Sequence, residues 1–381
     1  MKLVFISNFF NHHQKFVSDV FYRECASYYF VSAEEMPEER KQLGYASLQA
    51  PYLIGAADLN SDILENCDAV VIGSAPSQLI QSIKRDKLIF YYSERPLKQG
   101  NSPLKYLYRF FRWRKRDFGV RQLYMLCASA YAAADYAKFH LYKNCSYQWG
   151  YFPEAKAYAL EELFKQKHSN EILWCGRFLD WKHPDDALYA AKKLKDSGCR
   201  FRLTFIGTGE MEQALHRLTE ELGLTEVVQF TGALSPEQVR QKMEQSGVFL
   251  LTSDHQEGWG AVLNEAMNAG CAVVASHAAG AVPVMVKHRQ NGWIYPSGNI
   301  DALCRGIRYF LEHPEQQKMM GMQAYHSITD TWNAEVAAKR LIQLSEHILQ
   351  GERFPDLYAE GPCSKAQMIK DDWFKDEEVI D

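Results

Sequence analysis

Short apolar runs alternate with longer amphipathic stretches along the 381-residue chain. This alternation predicts parallel strands joined by helices, as in a doubly wound α/β sheet. The pattern is interrupted at Phe152-Pro153 and then begins again, which predicts two α/β domains, residues 1–152 and 153–333. The predicted strands are Lys2–Ser7, Tyr28–Ser32, Ala69–Ile72, Leu88–Tyr92, Tyr124–Ala128, Ile172–Cys175, Arg202–Ile206, Val227–Phe230, Val248–Thr252 and Ala272–Ser276.

Helix signals lie between most of these strands. In the second domain, Ser235-Pro236 offers a side-chain N-cap followed by proline at the first helical position. The predicted helices are Gln14–Ala26, 184–195, 210–222, 235–246, 261–269 and, after the second domain, Ala334–Leu349.

A nine-residue segment, Glu257-Gly-Trp-Gly-Ala-Val-Leu-Asn-Glu265, follows one predicted strand directly. Gly258 and Gly260 let the backbone approach a ligand closely, and the helix that begins near Ala261 turns free N–H groups towards the same point. A helix N-terminus of this kind binds phosphate. The two glutamates are suited to accept hydrogen bonds from hydroxyls on either side of the phosphate. The segment therefore predicts binding of a nucleotide sugar, a diphosphate with a polyol at each end.

The same segment resembles the two-glutamate E-x7-E motif of the retaining glycosyltransferases of family 4, which have the GT-B fold. That α/β fold consists of two Rossmann-like, doubly wound parallel-sheet domains that face each other across a cleft. The resemblance implies that Glu257 holds hydroxyls of the transferred sugar and that Glu265 holds the ribose. The donor-binding positions that it implies between them are Gly258, Trp259, Gly260, Ala261 and Val262.

The resemblance also assigns roles to the two domains. Residues 1–152 are expected to bind the acceptor, and residues 153–333 the nucleotide sugar. In the GT-B fold the terminal helix crosses back onto the first domain, so the helix and tail over residues 334–381 are expected to pack there. The resemblance covers residues 170–300 in its motifs and the first half in architecture alone.

Two cations follow the predicted strand Ile172–Cys175. Arg177 comes directly after Gly176, and Lys182 lies five residues beyond Arg177. A guanidinium and an ammonium at the carboxyl end of a strand can clamp a diphosphate. By resemblance both neutralise the leaving diphosphate. Arg177, Lys182 and Glu257 are therefore the catalytic candidates, and Gly176 is a donor-binding candidate.

We expect neither a metal ion nor a cofactor. Two cations and a helix N-terminus can replace Mg²⁺ in stabilising a leaving phosphate. Asp185-Asp186 begins a predicted helix and Asp371-Asp372 lies in the tail, so neither pair stands in a loop that follows a strand. The nucleoside-diphosphate sugar, UDP- or GDP-linked, is expected as a substrate.

Two glycine-containing loops are also predicted to line the donor site. Gly207-Thr-Gly209 follows a predicted strand, but Glu212 stands where a dinucleotide fingerprint has its third glycine. NAD binding is therefore weakly supported, and Gly207 is expected to border the nucleotide. By resemblance, Gly232 and Leu234 lie where backbone groups meet the base.

Four side chains of the first domain are acceptor-side candidates: His12, His13, Glu94 and Arg95. The histidines begin a predicted helix, whose N-terminus disfavours a charged imidazole. They either position the acceptor or simply cap and pack the helix. Glu94 and Arg95 follow a predicted strand at the sheet edge where open α/β sheets bind ligands. For these two residues an internal ion pair is an equally good interpretation.

Residues 105–121 contain seven Lys or Arg, one acidic residue and six aromatic residues. Residues 1–160 as a whole contain 20 Lys or Arg against 15 Asp or Glu, whereas the remainder contains 23 against 32. A basic, aromatic helix can lie on an anionic membrane surface. The alternative is a helix with buried aromatics and a solvated basic face. No nucleic-acid-binding fold signature accompanies the segment, so nucleic acid is not expected as a partner.

Composition limits the cellular setting. Apolar residues make up 47% of the chain, and no apolar run approaches the ~20 residues of a membrane span. The nine scattered cysteines form no CxxC pair, which favours thiols in a reducing cytoplasm over disulfides or zinc. The opening apolar run predicts a first strand rather than a secretory signal.

Together these features predict a cytoplasmic, metal-independent, retaining glycosyltransferase. Its acceptor is expected to be a lipid-linked glycan in surface polysaccharide synthesis, which would make the enzyme peripheral on the inner face of the cell membrane. Two alternatives remain open: a nucleotide-sugar 2-epimerase on the same fold, and a non-catalytic nucleotide-sugar binder.

Overall fold

The computed structural model describes residues 1–37, 48–81, 83 and 85–375. The chain forms two compact units. The first contains Met1–Pro153 and Asn333–Ile369, and the second contains Glu154–Trp332 with the described tail from Lys370. Residues 376–381 of the predicted tail lie outside the described residues.

A parallel sheet forms the centre of the first unit. Its strands are β1 (Lys2–Ser7), β2 (Ser27–Ser32), β3 (Leu53–Gly55), β4 (Ala69–Ile72), β5 (Leu88–Ser93), β6 (Gln122–Cys127) and β7 (Ser146–Gln148). They lie in the order β3-β2-β1-β4-β5-β6-β7. The connecting helices are α1 (His12–Glu24), α2 (Ser61–Asn66), α3 (Ser77–Gln81), α4 (Pro103–Asp117) and α5 (Ala132–Ala137). Side chains on both faces of β1 are buried, as expected when helices cover both faces of a parallel sheet.

The second unit repeats this plan around a six-stranded parallel sheet. Its strands are β8 (His168–Cys175), β9 (Arg202–Ile206), β10 (Val228–Phe230), β11 (Ser246–Leu251), β12 (Ala272–Ser276) and β13 (Trp293–Tyr295), in the order β10-β9-β8-β11-β12-β13. Its helices are α6 (Leu160–Lys165), α7 (Pro184–Asp196), α8 (Glu212–Glu221), α9 (Pro236–Gln245), α10 (Ala261–Asn268), α11 (Val282–Met285), α12 (Ile300–Glu312) and α13 (Pro314–His326). Helix α14 (Ala334–Leu349) belongs to the first unit.

The order of strands reverses once in each sheet, between β1 and β4 and between β8 and β11. At such a point the loops from two neighbouring strands leave in opposite directions and open a crevice at the carboxyl ends. In the second sheet these loops contain Lys182 and Glu257.

All ten predicted strands are present; four match their predicted bounds, and the other six lie within four residues of them. Three strands escaped prediction: β3, β7 and β13, each three residues long. All three lie at sheet edges. A three-residue strand offers few apolar positions, and of the four edge strands of this length the sequence pattern revealed β10 alone, through the run Val227–Phe230.

Helix α14 packs on the first unit, where Arg23 donates to Glu335 at 2.6 Å. The prediction placed residues 334–381 together on the first domain, and for the last part of the described tail this is wrong. From Lys370 the tail belongs to the second unit. The physical reason is local, because Trp373 donates to the carbonyl of His277 at 3.2 Å and Phe374 packs 5.2 Å from the His288 ring.

Glycines connect the strand ends of the second sheet. The N–H of Gly176 donates to the carbonyl of Ile206 at 3.0 Å, and the N–H of Gly207 donates to the carbonyl of Gly232 at 2.9 Å. Gly207 has φ +132°, and a Cβ built there would lie 1.9 Å from the carbonyl oxygen of Gly176. The turns after β8, β9 and β10 therefore stack through backbone contacts that no side chain can enter.

We predict that Gly207→Ala lowers the free energy of unfolding far more than Gly298→Ala. Gly298 also has positive φ, +77°, but a Cβ there meets no atom within 4 Å. The control substitution should lose ~1–2 kcal/mol from backbone strain alone. Gly207→Ala must also displace the backbone of Gly176, so it should lose at least ~1–3 kcal/mol more. Denaturant titration of both variants measures the difference, and equal losses would contradict the stacked-turn geometry.

Candidate functional site

Lys182 and Glu257 form an ion pair at the point where the strand order of the second sheet reverses. The ammonium of Lys182 donates to Oε2 of Glu257, and the two side chains are 13% and 12% exposed. The hydroxyl of Ser253 donates to the same carboxylate oxygen at 3.1 Å. The structure therefore brings together two predicted catalytic candidates that lie 75 residues apart in the chain.

The backbone that carries this pair is held by uncharged groups. The hydroxyl of Thr252 donates to the carbonyl of Lys182 at 2.6 Å and accepts from the indole N–H of Trp174 at 2.8 Å. The N–H of Asp254 donates to the carbonyl of Trp181 at 3.0 Å. These bonds hold the loops after β8 and β11 together independently of any titration, so the position of Lys182 does not depend on its charge.

The turn between the two predicted glutamates has the expected form. Gly260 is the N-cap of α10 with φ +90°, a conformation that favours glycine, and Ala261 is the first helical residue. Gly258 is buried, whereas Ala261 and Val262 are half-buried at the start of the helix.

Trp259 is fully buried rather than open to a ligand. Its indole N–H donates to Asn264 at 2.9 Å, and its ring lies 5.5 Å from that of Trp332. Its carbonyl accepts from the N–H of Ala281 at 3.0 Å. The aromatic residue of the motif therefore anchors the turn to the core, and only its backbone remains for donor binding.

Glu265 lies one turn into α10 and is half-buried. Burial raises its pKa, and the positive charge of Arg240 opposes that shift in part. Burial, together with the charge of Glu265, also raises the pKa of Cys175 at the end of β8 to about 12. Among the described residues no hydrogen bond to Glu265 offsets its burial. Hydrogen bonds from ligand hydroxyls would stabilise the charged form of such a carboxylate.

The remaining donor-side candidates lie at the same edge of the sheet. Arg177 is exposed on the turn that begins at Gly176, so its guanidinium is available to solvent and to ligands. Leu234 is half-buried and precedes Ser235, the N-cap of α9. Ser235 is the N-cap that the sequence predicted, with Pro236 at the start of the helix, and Gln238 bonds back to the cap to complete a capping box.

Within the described parts of the chain, one cluster has the ligand types of a metal site. His183, Asp185 and Asp186 have ligand atoms that lie within 4.8 Å of one another. The hydrogen bond that the His183 ring donates to Asp254 raises the pKa of His183, while burial opposes the shift. Both aspartates lie in the first turn of α7, where the helix dipole favours negative charge. Burial raises the pKa of Asp186 to about 6, and the charge of His183 opposes that shift. Oδ1 of Asp185 and Oδ2 of Asp186 accept no hydrogen bond from the described residues.

The first unit brings three of the four acceptor-side candidates together. His12 and His13 begin α1 behind the N-cap Asn11, whose side chain accepts from the N–H of His13 at 2.8 Å. Burial lowers the pKa of His12, in agreement with the neutral imidazole expected there. The His13 ring stacks 5.3 Å from that of Tyr151, and the Tyr151 hydroxyl donates to Glu94 at 2.5 Å. Glu94 also pairs with Lys98.

Tyr151 is a member of this group that sequence reasoning missed. Burial first, and then the charges of neighbouring groups including Glu94, raise its pKa well above the usual range. Tyr151 therefore stays protonated and donates to the glutamate. Tyr151 follows the carboxyl end of β7, and that position could have identified it as a site residue. The sequence pattern did not predict β7, which has only three residues.

Arg95 lies apart from these residues in a buried ion pair. Its guanidinium donates through Nε and Nη2 to the two carboxylate oxygens of Asp135, each at 3.2 Å. The same carboxylate accepts from the N–H of Leu97 at 3.1 Å. Of the two interpretations offered by the sequence, the structure shows the internal ion pair, so Arg95 does not face an acceptor.

Helix α4 has two apolar faces instead of the expected one. On the inner face, Tyr106 and Trp113 pack against the ring of Phe139, at centroid distances of 4.7 Å each. Arg116 also turns inwards, where it pairs with Asp117 at 2.6 Å. The outer face exposes large apolar side chains at helical spacing, followed by one more beyond the helix end: Leu104, Leu107, Tyr108, Phe111 and Phe118. Among the described helices, none is long and apolar enough to cross a membrane.

Comparisons with known families and proteins find similar glycosyltransferases. Residues 159–327 match the profile of the family described as glycosyl transferases group 1. The chain is 26% identical to an amylovoran biosynthesis glycosyltransferase of Erwinia amylovora over 46% of its own length. It is 28% identical to a putative colanic acid biosynthesis glycosyltransferase of Escherichia coli, again over 46% of its length. Each match spans 44% of the relative.

Solved glycosyltransferases share the fold over nearly the whole chain. A glycosyltransferase of Rickettsia africae superposes with a TM-score of 0.68 over 92% of this chain and 99% of that protein, at 14% identity. The Anabaena protein HepE, solved in complex with UDP, gives a TM-score of 0.66 over 91% and 100%, also at 14% identity. The chain therefore has the GT-B fold, and residues 159–327 of its second unit are similar to the glycosyl transferases group 1 family.

Proposed function

We propose that the protein is a retaining glycosyltransferase that moves a sugar from a UDP- or GDP-linked donor to a glycan acceptor. The Lys182–Glu257 pair is the observation that carries the proposal. It places an ammonium and a carboxylate, both largely buried, beside a helix N-terminus at the strand reversal of the second sheet. A cation that can bind the diphosphate thus contacts a carboxylate that can accept hydrogen bonds from sugar hydroxyls.

Each donor group has a matching residue in the second unit. The ammonium of Lys182 and the exposed guanidinium of Arg177 would bind the diphosphate, together with the N–H groups at the start of α10. Glu265, whose pKa burial raises, would accept hydrogen bonds from the ribose hydroxyls. Glu257 would hold hydroxyls of the transferred sugar, and Gly207 and Gly232 would let the backbone border the nucleoside.

The proposed chemistry keeps the anomeric configuration through front-face attack. The bond from the anomeric carbon to the phosphate oxygen breaks, and the acceptor oxygen forms its bond on the same face. The acceptor proton passes to the departing phosphate oxygen, so the step needs no protein nucleophile. Lys182 and Arg177 stabilise the charge that grows on the diphosphate, which is the role a metal ion has in other transferases.

Metal independence is part of this proposal, and transfer should continue in the presence of a chelator. The two aspartates of the His183 cluster lie in the first turn of α7, where the helix dipole would favour their charge without a metal ion. No cofactor is required, because the nucleotide sugar supplies the leaving group.

The acceptor is proposed to be a lipid-linked glycan in surface polysaccharide synthesis, at the cytoplasmic face of the membrane. The relatives named for amylovoran and colanic acid biosynthesis support such a pathway. The outer face of α4 supports the membrane location, because it combines exposed apolar side chains with the exposed cations Lys105, Arg112, Arg114 and Lys115. Apolar burial and attraction to anionic lipid act together on such a surface.

We predict that Glu257→Gln and Glu265→Gln separate the two glutamate roles. Glu257→Gln should reduce turnover on the order of 10²–10³-fold while nucleoside diphosphate binding stays near that of the parent protein. Glu265→Gln should weaken nucleoside diphosphate binding by ~1.5–3 kcal/mol, about 10–100-fold, because charged hydrogen bonds to the ribose are lost. Calorimetric titration and steady-state kinetics provide the two measurements.

Glu237→Gln is the matched control for this pair. Glu237 is exposed in the first turn of α9, so its neutralisation should change neither binding nor turnover. If both site variants bind the free nucleotide as the parent does, the ribose role of Glu265 is wrong. Donor consumption that requires no acceptor would favour the 2-epimerase, and binding without turnover would favour the non-catalytic binder.

We predict that the protein binds anionic vesicles through α4 and that salt weakens binding. Replacing Arg112 and Arg114 by Glu should reduce the vesicle-bound fraction strongly, since each cation near an anionic surface contributes ~1 kcal/mol. Arg116 is left unchanged because it supports the fold. Co-sedimentation with phosphatidylserine-containing vesicles measures the effect.

The charge-matched control reverses Arg217 and Lys318, two exposed cations of the second unit. This variant should sediment as the parent protein does. If the parent ignores anionic vesicles at low salt, or if both double variants lose binding equally, α4 is not the membrane surface and a soluble acceptor is favoured.

A further inference from the structure

The described tail of the chain ends on the loops that carry the proposed donor site. The imidazole of His277, at the end of β12, contacts the carbonyl of Asp371 at 3.0 Å through Nε2. The indole N–H of Trp373 donates back to the carbonyl of His277 at 3.2 Å. Trp373 and Phe374 are half-buried, and the Phe374 ring lies 5.2 Å from the ring of His288. The tail is therefore docked by both hydrogen bonds and ring contacts.

The hydrogen bonds of His277 determine its tautomer. The N–H of Ser297 donates to Nδ1 at 3.0 Å. A backbone N–H can only donate, so Nδ1 is unprotonated and Nε2 bears the hydrogen that goes to Asp371. Burial lowers the pKa of His277, in agreement with this neutral form. The buried histidine is thus built to hold a backbone carbonyl of the tail.

Two routes lead from the docked tail to Glu257. By the first, the Asp371 carboxylate lies 3.7 Å from Nδ1 of His255, two residues before Glu257 in the same loop. By the second, the loop that begins at His277 contains Gly280, whose N–H donates to the carbonyl of Glu257 at 3.2 Å. The rings of His255 and His277 lie 5.4 Å apart, so the two routes also contact each other.

We propose that residues 370–374 are a positioning segment for the donor loop: by holding His255 and His277, they keep the backbone of Glu257 in place for the sugar. The proposal rests on the function assigned to Glu257 above. Trp373 and Phe374 act through other residues and do not touch the donor. Undocking the tail should therefore loosen the loop around Glu257 without unfolding the second sheet.

The test compares the full-length parent protein with Trp373→Ala/Phe374→Ala by hydrogen exchange. The amides of Gln256, Glu257 and Gly280 all donate within the donor loops. In the variant they should exchange about tenfold faster, equivalent to ~1.4 kcal/mol of local opening free energy. Amides of β8, at the centre of the second sheet, are the internal reference for the stability of the second unit and should not change.

Met368→Ala is the matched control in the tail. Met368 is 55% exposed and precedes the docked segment, so its truncation should leave the donor-loop amides protected. Trp373→Phe keeps the aromatic ring but removes the N–H donor, and it should fall between the parent protein and the double variant. In kinetics the double variant should raise the KM for the nucleotide sugar by severalfold, with a smaller effect on the rate with saturating donor.

The outcomes separate this inference from the proposed function. Unchanged exchange at Glu257 and Gly280 in the double variant overturns the positioning role, whatever the activity. Faster exchange in a protein that binds no nucleotide sugar supports the positioning role and overturns the proposed function. Equal acceleration by Met368→Ala, or acceleration that extends to β8, shows a general loss of stability and also overturns it.

Discussion

The ion pair between Lys182 and Glu257 is the contact on which the account of the second unit depends. It joins the loops after β8 and β11, the two strands between which the sheet order reverses. Burying a charge costs free energy unless the charge is paired. Without a bound ligand, Lys182 and Glu257 therefore each need the other as a partner. A diphosphate is such a partner for the ammonium, and sugar hydroxyls are suitable partners for the carboxylate. The pair therefore keeps both groups ordered and leaves both able to exchange partners.

The surroundings of the pair are held by groups that do not titrate. Backbone contacts between Gly176, Gly207 and Gly232 stack the turns, and Thr252 fixes the carbonyl of Lys182. Burial of Trp259 anchors the helix N-terminus that would face a phosphate. Preorganisation of this kind is what electrostatic stabilisation of a leaving group requires, because the dipoles need not reorganise during the reaction.

Sequence reasoning captured the features that produce strong local patterns. Buried parallel strands form continuous apolar runs, so both sheets and their division were predictable, and the Glu257–Glu265 segment fell on the expected strand–turn–helix. Features that depend on tertiary partners were not predictable. The sequence offered an ion pair for Arg95 but not its partner, Asp135, which lies 40 residues away. The outward face of α4 appears only once Tyr106 and Trp113 are known to pack inwards. The sequence analysis assigned the whole tail to the first unit because the residues around Trp373 do not indicate that their partner is His277, which is distant in the chain.

The most direct test of the central claim is calorimetric titration of nucleoside diphosphates and of the corresponding nucleosides into the parent protein and Lys182→Met. A Lys182→Met/Glu257→Gln variant completes the set, because it removes the carboxylate that the single change leaves buried and unpaired. If Lys182 binds the diphosphate, both variants should lose at least about tenfold in affinity for UDP or GDP, ~1.4 kcal/mol, and keep their affinity for uridine or guanosine. Diphosphate affinity equal to that of the parent protein in both variants would contradict the account.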